Sequence, residues 1–161
     1  MGEEPIEGRT TAAREGEVVV FLIGMRINKV TAVRSWLPVA RAMGPMLAEL
    51  SRDEDSGLLG HRFLLGFPRV AYLVQYWDSA EKLRAYASAP DKRHRPAWTA
   101  FNRRLREGKG KVGFWHETYV VPAGSYETVY VNMPEFGLGR ATGVVPVGRR
   151  GERMADRLRT S

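Results

Sequence analysis

"LLGHRFLLGFPRVAYLVQYW", Leu58 to Trp77, places two runs rich in aromatic and aliphatic residues on either side of Pro68-Arg69. Each run has the length of a strand, and the Pro-Arg step supplies a tight turn, so the stretch reads as an antiparallel hairpin. What flanks it decides the fold. Upstream, "EVVVFLIGMRI" (17–27) is almost wholly apolar, the pattern of a central strand. Between them, in "SWLPVARAMGPMLAELSRD", Trp36, Val39, Ala40, Met43, Met46, Leu47 and Leu50 recur at helical spacing. Ser35 is a candidate cap, and Gly44-Pro45 predicts a kink. Downstream, "DSAEKLRAYASA" opens a helix with Asp78 at the cap and Glu81 three residues on. A further helix is expected from about His94 to Arg106, with Pro96 in its first turn. "VGFWHETYVV" and "YETVYVN" follow as strands separated by "PAGS".

The order β-α-β-β-α-(α)-β-β is the ferredoxin-like pattern, an α+β fold whose antiparallel sheet carries its helices on one face. The other face is left bare. Apolar side chains there need a second copy, so the expected form is a homodimer, with two sheets packed as a dimeric α+β barrel. Residues 1–16 read as a flexible arm, 17–133 as the ferredoxin-like domain, and 134–161 as a Gly-rich extension with a basic tail.

The 161 residues, 43% hydrophobic, suit one domain with its own core. No apolar run approaches the roughly 18 to 20 residues that span a bilayer. "MGEEPIEGRTTAAREGE" lacks a signal peptide's basic start and cleavage pattern, so the chain reads as soluble and cytoplasmic, without a membrane partner. There is no cysteine, which excludes disulfides, thiolate metal sites, iron–sulfur clusters, cysteine nucleophiles and a thiolate haem ligand. A transition-metal site must draw on His61, His94 and His116.

The net charge is +7, and residues 84–111 carry a surplus of the same size. Such a surplus attracts nucleic acid, anionic substrates or cofactor carboxylates. Three observations argue against nucleic acid. No helix-turn-helix or RNA-recognition signature is present. The aromatics of this segment share an inward stripe, apart from the arginines. RNA binders of this topology display aromatics on an exposed sheet face, here assigned to the dimer.

That inward stripe holds His94, Trp98, Phe101 and Leu105, spaced by four, seven and eleven residues from His94. On the next strand Val112, Phe114, His116, Thr118 and Val120 alternate onto one face, while Trp115, Glu117 and Tyr119 take the other. About 18 Å of helix from His94 to Arg106 and about 20 Å of returning strand to His116 bring the two histidines level. Core packing remains the plain alternative for Trp98, Phe101 and Trp115.

"LRAYASAPDKRHRPAWTAFNRRLREGKGKVGFWHETYV" resembles the distal part of the haem-containing aldoxime dehydratases. The shared pattern is a helix with a histidine and a Phe, a basic stretch, then a strand reading aromatic-His-Glu. More broadly, "YWDSAEKLRAYA…HRPAWTAF" is similar to the small monooxygenase-like proteins of the dimeric α+β-barrel superfamily. These include the antibiotic-biosynthesis monooxygenases and a fumagillin-cluster-type branch. The resemblance implies a b-type haem with His94 as axial ligand and His116 as distal acid/base. Trp98, Phe101 and Phe114 would wall the macrocycle, and Arg93 and Arg95 would meet its propionates. Tyr86 stands where haem-degrading relatives carry a tryptophan. Asn28 stands near an asparagine that cofactor-free relatives use to hold substrate or oxygen, although an ordinary strand-end residue serves equally there. The expectation is a small-molecule enzyme, a haem-dependent dehydratase or monooxygenase. The alternatives are a cofactor-independent monooxygenase of secondary metabolism and a non-catalytic haem- or nucleic-acid-binding module. The departures are length, since aldoxime dehydratases have two ferredoxin-like halves in one chain, and their catalytic arginine and serine, which the matched segment does not place in this sequence. His61 has no evident partner, "GLGRATG" lacks the spacing of a dinucleotide fingerprint, and "NMPEFGLG" is expected to border the pocket.

Overall fold

A computed structural model describes residues 4–52, 54–88, 99, 102, 103 and 106–159. Two antiparallel sheets are present among them. The larger contains β2 (Val18–Ile27), β3 (Leu58–Gly66), β4 (Val70–Trp77) and β5 (Val112–Val121), in the order β3-β4-β2-β5. With α1 (Val33–Leu50) between β2 and β3, and α2 (Ala80–Ser88) after β4, this is the ferredoxin-like arrangement that the element order implies. β2 pairs with β4 on one side, from Val19 to Arg26, and along its whole length with β5 on the other. A strand flanked on both sides, with none of Val18 to Met25 exposed, has no solvent-facing row there, which is why "VVVFLIGM" shows no alternation.

The helices bury opposite ends of one sheet face. Under α1, Met25, Val39 and Val112 form a cluster with Ile27, Trp36, Ala40, Ala71 and Phe114. Under α2, Val19 and Trp77 are fully buried against Phe21, Leu58, Ala80, Leu83 and Tyr86. Trp77 keeps its indole N–H satisfied on the Gln75 side-chain oxygen at 2.9 Å. Two caps differ from expectation. α1 begins at Val33, so Ser35 lies inside its first turn, and the helix runs through Pro38 and Pro45. α2 is capped by Ser79, whose hydroxyl accepts from the Lys82 N–H at 3.2 Å. Asp78 instead pairs with Arg14 at 2.7 Å and Lys82 at 2.8 Å.

The second sheet places β1 (Ile6–Ala12) between β6 (Tyr130–Met133) and β7 (Val144–Pro146). The stretch read as a flexible arm therefore contains a strand. Only its last three residues, Thr10, Thr11 and Ala12, are buried, so it carries too little apolar signal to stand out. Side-chain oxygens complete its bonding. The Thr128 hydroxyl accepts from the Ala12 N–H at 2.8 Å, and the Asn132 side-chain oxygen accepts from Gly8 at 2.9 Å. Gly8, at φ +88°, sits where the β1–β6 register slips.

The sheet face opposite the helices, expected to be bare, is covered at one end by the chain's own C-terminal extension. The short helix Gly137–Thr142 lies on β3, and Leu138 is buried with Ala12 and Val18 beside Tyr76, Val121 and Tyr126. Gly60 permits this approach, since a Cβ there would come within 2.8 Å of the Ala141 Cβ. "NMPEFGLG" thus covers the face away from the helices and does not border the helix-side surface. The basic tail is also tied down. Arg157, 6% exposed, pairs with Glu127 at 2.9 Å and donates to the Gly151 carbonyl at 2.8 Å.

Candidate functional site

β5 delivers His116 to the helix-side face. The β2–β5 register sets His116 opposite Ile23, Phe114 opposite Met25 and Thr118 opposite Phe21. The row continues across the sheet through Leu73 to Phe63. It runs between the α1 cluster and the α2 cluster, since Met25 belongs to the first and Phe21 packs on the second. Leu73, on a central strand, is buried at 4%. His116, on an edge strand, is exposed.

Two aromatic rings hold the imidazole. The Phe21 centroid is 5.8 Å from it and tilted by 45°, and the Phe114 centroid is 6.1 Å away and tilted by 47°. Among the described residues its ring nitrogens have no hydrogen-bonding partner. The adjacent carboxylate is turned away. Glu117 lies on the opposite face and accepts from the Tyr119 hydroxyl at 2.8 Å, a bond that holds this phenol above the ordinary tyrosine value. Trp115 also takes the far face, its ring 5.8 Å from that of Tyr72 across Gly24. The alternation expected of this strand is therefore the one observed.

The remaining candidates separate. Phe114 joins His116 directly. Tyr86, on α2, has its ring 5.4 Å from that of Trp77, tilted by 43°, in the cluster against which Phe21 also packs. Asn28 is remote. It lies five residues beyond Ile23, about 16 Å along the strand. There its side-chain amide donates to the Gly110 carbonyl at 2.9 Å, the work of a strand-end residue. Arg93, His94, Arg95, Trp98 and Phe101 lie outside the described residues; Thr99, Asn102, Arg103, Arg106 and Glu107 are helical. His61 faces the helix side near Ser51, whose hydroxyl is 3.5 Å from its Nδ1. Phe63 completes the row and Phe21, one row along, packs diagonally on the imidazole; neither is evident from the sequence. Strand parity puts each on a face, but only cross-strand register reveals which side chains share a row with His116.

Among the described residues no three His, Asp or Glu side chains come together as a metal-binding group. A lone imidazole on an apolar surface can exchange a proton with a bound molecule, or can face a cofactor that needs a single protein ligand. No helix among the described residues is long and apolar enough to cross a membrane.

Fold and site together define a ferredoxin-like α+β protein with an apolar helix-side surface centred on one histidine. The chain belongs to the Monooxygenase af470-like family, whose model matches residues 18–138. It is 30% identical over 166 residues to monooxygenase af470 of Aspergillus fumigatus, an alignment covering 90% of this chain and 57% of that protein. Among solved structures it is similar to the aldoxime dehydratase OxdRE in complex with butyraldoxime. The TM-score is 0.64 at 21% identity, over 87% of this chain and 42% of that one. It is also similar to SnoaB, a cofactor-independent oxygenase from Streptomyces nogalater, with a TM-score of 0.40 at 11% identity over 65% of this chain and 91% of that one. The chain thus spans a little over half the length of the curated relative and less than half of the dehydratase.

Proposed function

We propose that this chain is an enzyme that transforms a small organic molecule on the His116 face, with a b-type haem as its cofactor. The observation that carries the reading is the environment of His116. It is an exposed imidazole between Phe21 and Phe114, in the row between two packed clusters, with no hydrogen-bonding partner among the described residues. A solvent-facing histidine with a purely structural role gains nothing from an apolar surround. One that meets a flat apolar ligand does.

What supports a haem on this face is the apolar surround that Phe21 and Phe114 give His116, since a haem needs one protein ligand and an apolar wall; the other residues that would hold it lie outside the described residues. In this reading His94 would hold the iron, Trp98, Phe101 and Phe114 would wall the macrocycle, and Arg93 and Arg95 would pair with its carboxylates. Bound haem supplies Lewis-acid and redox chemistry at its iron. His116 supplies the proton inventory. In dehydration of an aldoxime to a nitrile and water, its imidazolium donates to the leaving hydroxyl and the neutral ring then accepts the proton lost from carbon. In oxygen insertion the same N–H orients the oxygen-bearing partner. The homodimer belongs to this reading. Light scattering checks it, and a monomer removes it.

The test is spectroscopic. Protein from haem-supplemented cells is expected to show a Soret band that shifts or disappears in His94→Ala. It is expected to keep the band and lose aldoxime turnover in His116→Ala. Absence of the band in the parent protein overturns the haem reading and leaves the cofactor-independent oxygenase.

A further inference from the structure

A cavity of about 340 Å³ opens between the segment after β1, the loop after β5 and the C-terminal extension. It is separate from the His116 surface. Val121, the end of β5 nearest this loop, lies five residues and about 16 Å from His116 and takes the other face. Its volume is near the lower end of ligand pockets, about 300–1,000 Å³.

Four arginines line it, Arg14, Arg150, Arg157 and Arg159, against two acidic residues, Glu15 and Glu127. Two of the cations are fixed. Arg157 is held by Glu127 and the Gly151 carbonyl. Arg14 donates to the Glu17 carbonyl at 2.7 Å and pairs with Asp78. A guanidinium locked by several bonds acts as a preorganised positive charge. The wall between them is neutral. Burial raises the Tyr126 hydroxyl above the ordinary tyrosine value, against the pull of Arg14 and Arg150, and this hydroxyl donates to the Gly16 carbonyl at 2.7 Å.

The other two cations are differently placed. Arg150 donates to the Ala13 carbonyl and keeps its second terminal nitrogen 3.1 Å from Glu15, whose side chain is 80% exposed. Arg159 is anchored by its backbone, the N–H donating to the Gly124 carbonyl at 2.9 Å. Among the described residues its guanidinium has no partner. The lining side chains alone therefore sum to two excess positive charges, Arg14 being ion-paired behind the lining with Asp78, and the exposed Glu15 carboxylate already occupies Arg150 in the manner of a ligand.

We propose that this cavity binds a small organic polyanion, carried on carboxylate or phosphate groups, with Arg150 and Arg159 contacting the oxyanions. The incoming anion replaces Glu15 on Arg150, and Glu15 turns into solvent. Exchanging one carboxylate for another at the same guanidinium costs little, and Arg159 adds a second charge-assisted contact. Arg14 and Arg157 supply the fixed field.

Calorimetric titration of the full chain with citrate, and separately with pyrophosphate, tests this. At least one probe is expected to bind, more weakly as sodium chloride rises. Preference for citrate assigns a carboxylate ligand, and preference for pyrophosphate a phosphate ligand. Arg159→Ala is expected to weaken binding about tenfold, the loss of one charge-assisted contact. Glu15→Gln is expected to tighten it several-fold, because the competing carboxylate is gone, and His116→Ala to leave it unchanged. If neither probe binds at millimolar concentration, or Arg159→Ala and Glu15→Gln both match the parent, the proposal falls and the arginines serve only to fasten the extension.

Discussion

The two faces of the four-stranded sheet are finished in different ways. The face away from the helices is closed by the chain itself, through Gly60 against Ala141, Leu138 in a buried cluster, and Arg157 fastened to Glu127. The helix side is closed at both ends, by α1 over Met25 and α2 over Val19, while His116 between them remains exposed. Polar and close-packed contacts thus hold the extension in place, whereas on the proposed reading the apolar surround of His116 serves a bound molecule. If so, substitutions on the two faces should separate cleanly into losses of stability and losses of function.

The largest loss of stability is expected at Arg157→Ala. It strands Glu127, only 21% exposed, beside an empty guanidinium site, and should cost about 3 kcal/mol in a urea titration. Replacing the pair together with apolar residues should recover most of this, which separates a fastening role from simple loss of charge. Gly60→Val comes next. Its side chain must push the Ala141 helix off β3, for about 2 kcal/mol. An unchanged urea midpoint would show that the extension is not packed tightly there.

Asp78→Asn should be smaller and dependent on pH. Hydrogen bonds from Lys82 and then Arg14 hold the Asp78 carboxyl below the ordinary value of 3.8. A folded-state value below the unfolded one gives stability that is present above pH 3.8 and lost as pH falls through the lower, folded value. Parent and variant should therefore differ at pH 7, by less than about 1 kcal/mol because the pair is partly exposed, and converge in acid. A gap independent of pH would assign the effect to packing. The smallest effect on stability belongs to His116→Ala, within about 0.5 kcal/mol of the parent, because an exposed ring is removed. If it unfolds the protein, the contrast between the faces fails.

How much of this was legible from sequence follows from how each part declares itself. The larger sheet and α1 are apolar at strand or helix period, so their order and the face occupied by His116 could be read directly. β1 could not, because "IEGRTTA" buries two threonines and an alanine and draws its bonding from Thr128 and Asn132, more than a hundred residues away. The cap of α2 was misread for a local reason. Asp78 and Ser79 are both good caps, and the distant Arg14 claims the carboxylate. Phe21 is not evident because periodicity gives a face, whereas the neighbours of His116 across the sheet depend on register between strands.

The pairing of β1 has a consequence for the order of folding. The ferredoxin-like core joins strands through hairpins and helix connections of moderate length. β1 can find its neighbours only after β6 and β7 exist, and closing so long a loop is entropically costly before any contact rewards it. The strand that precedes all the others in the chain is thus expected to be the last to lock. Pulse-labelled hydrogen exchange during refolding would register this as late protection of the Thr10 and Ala12 amides, after those of β2.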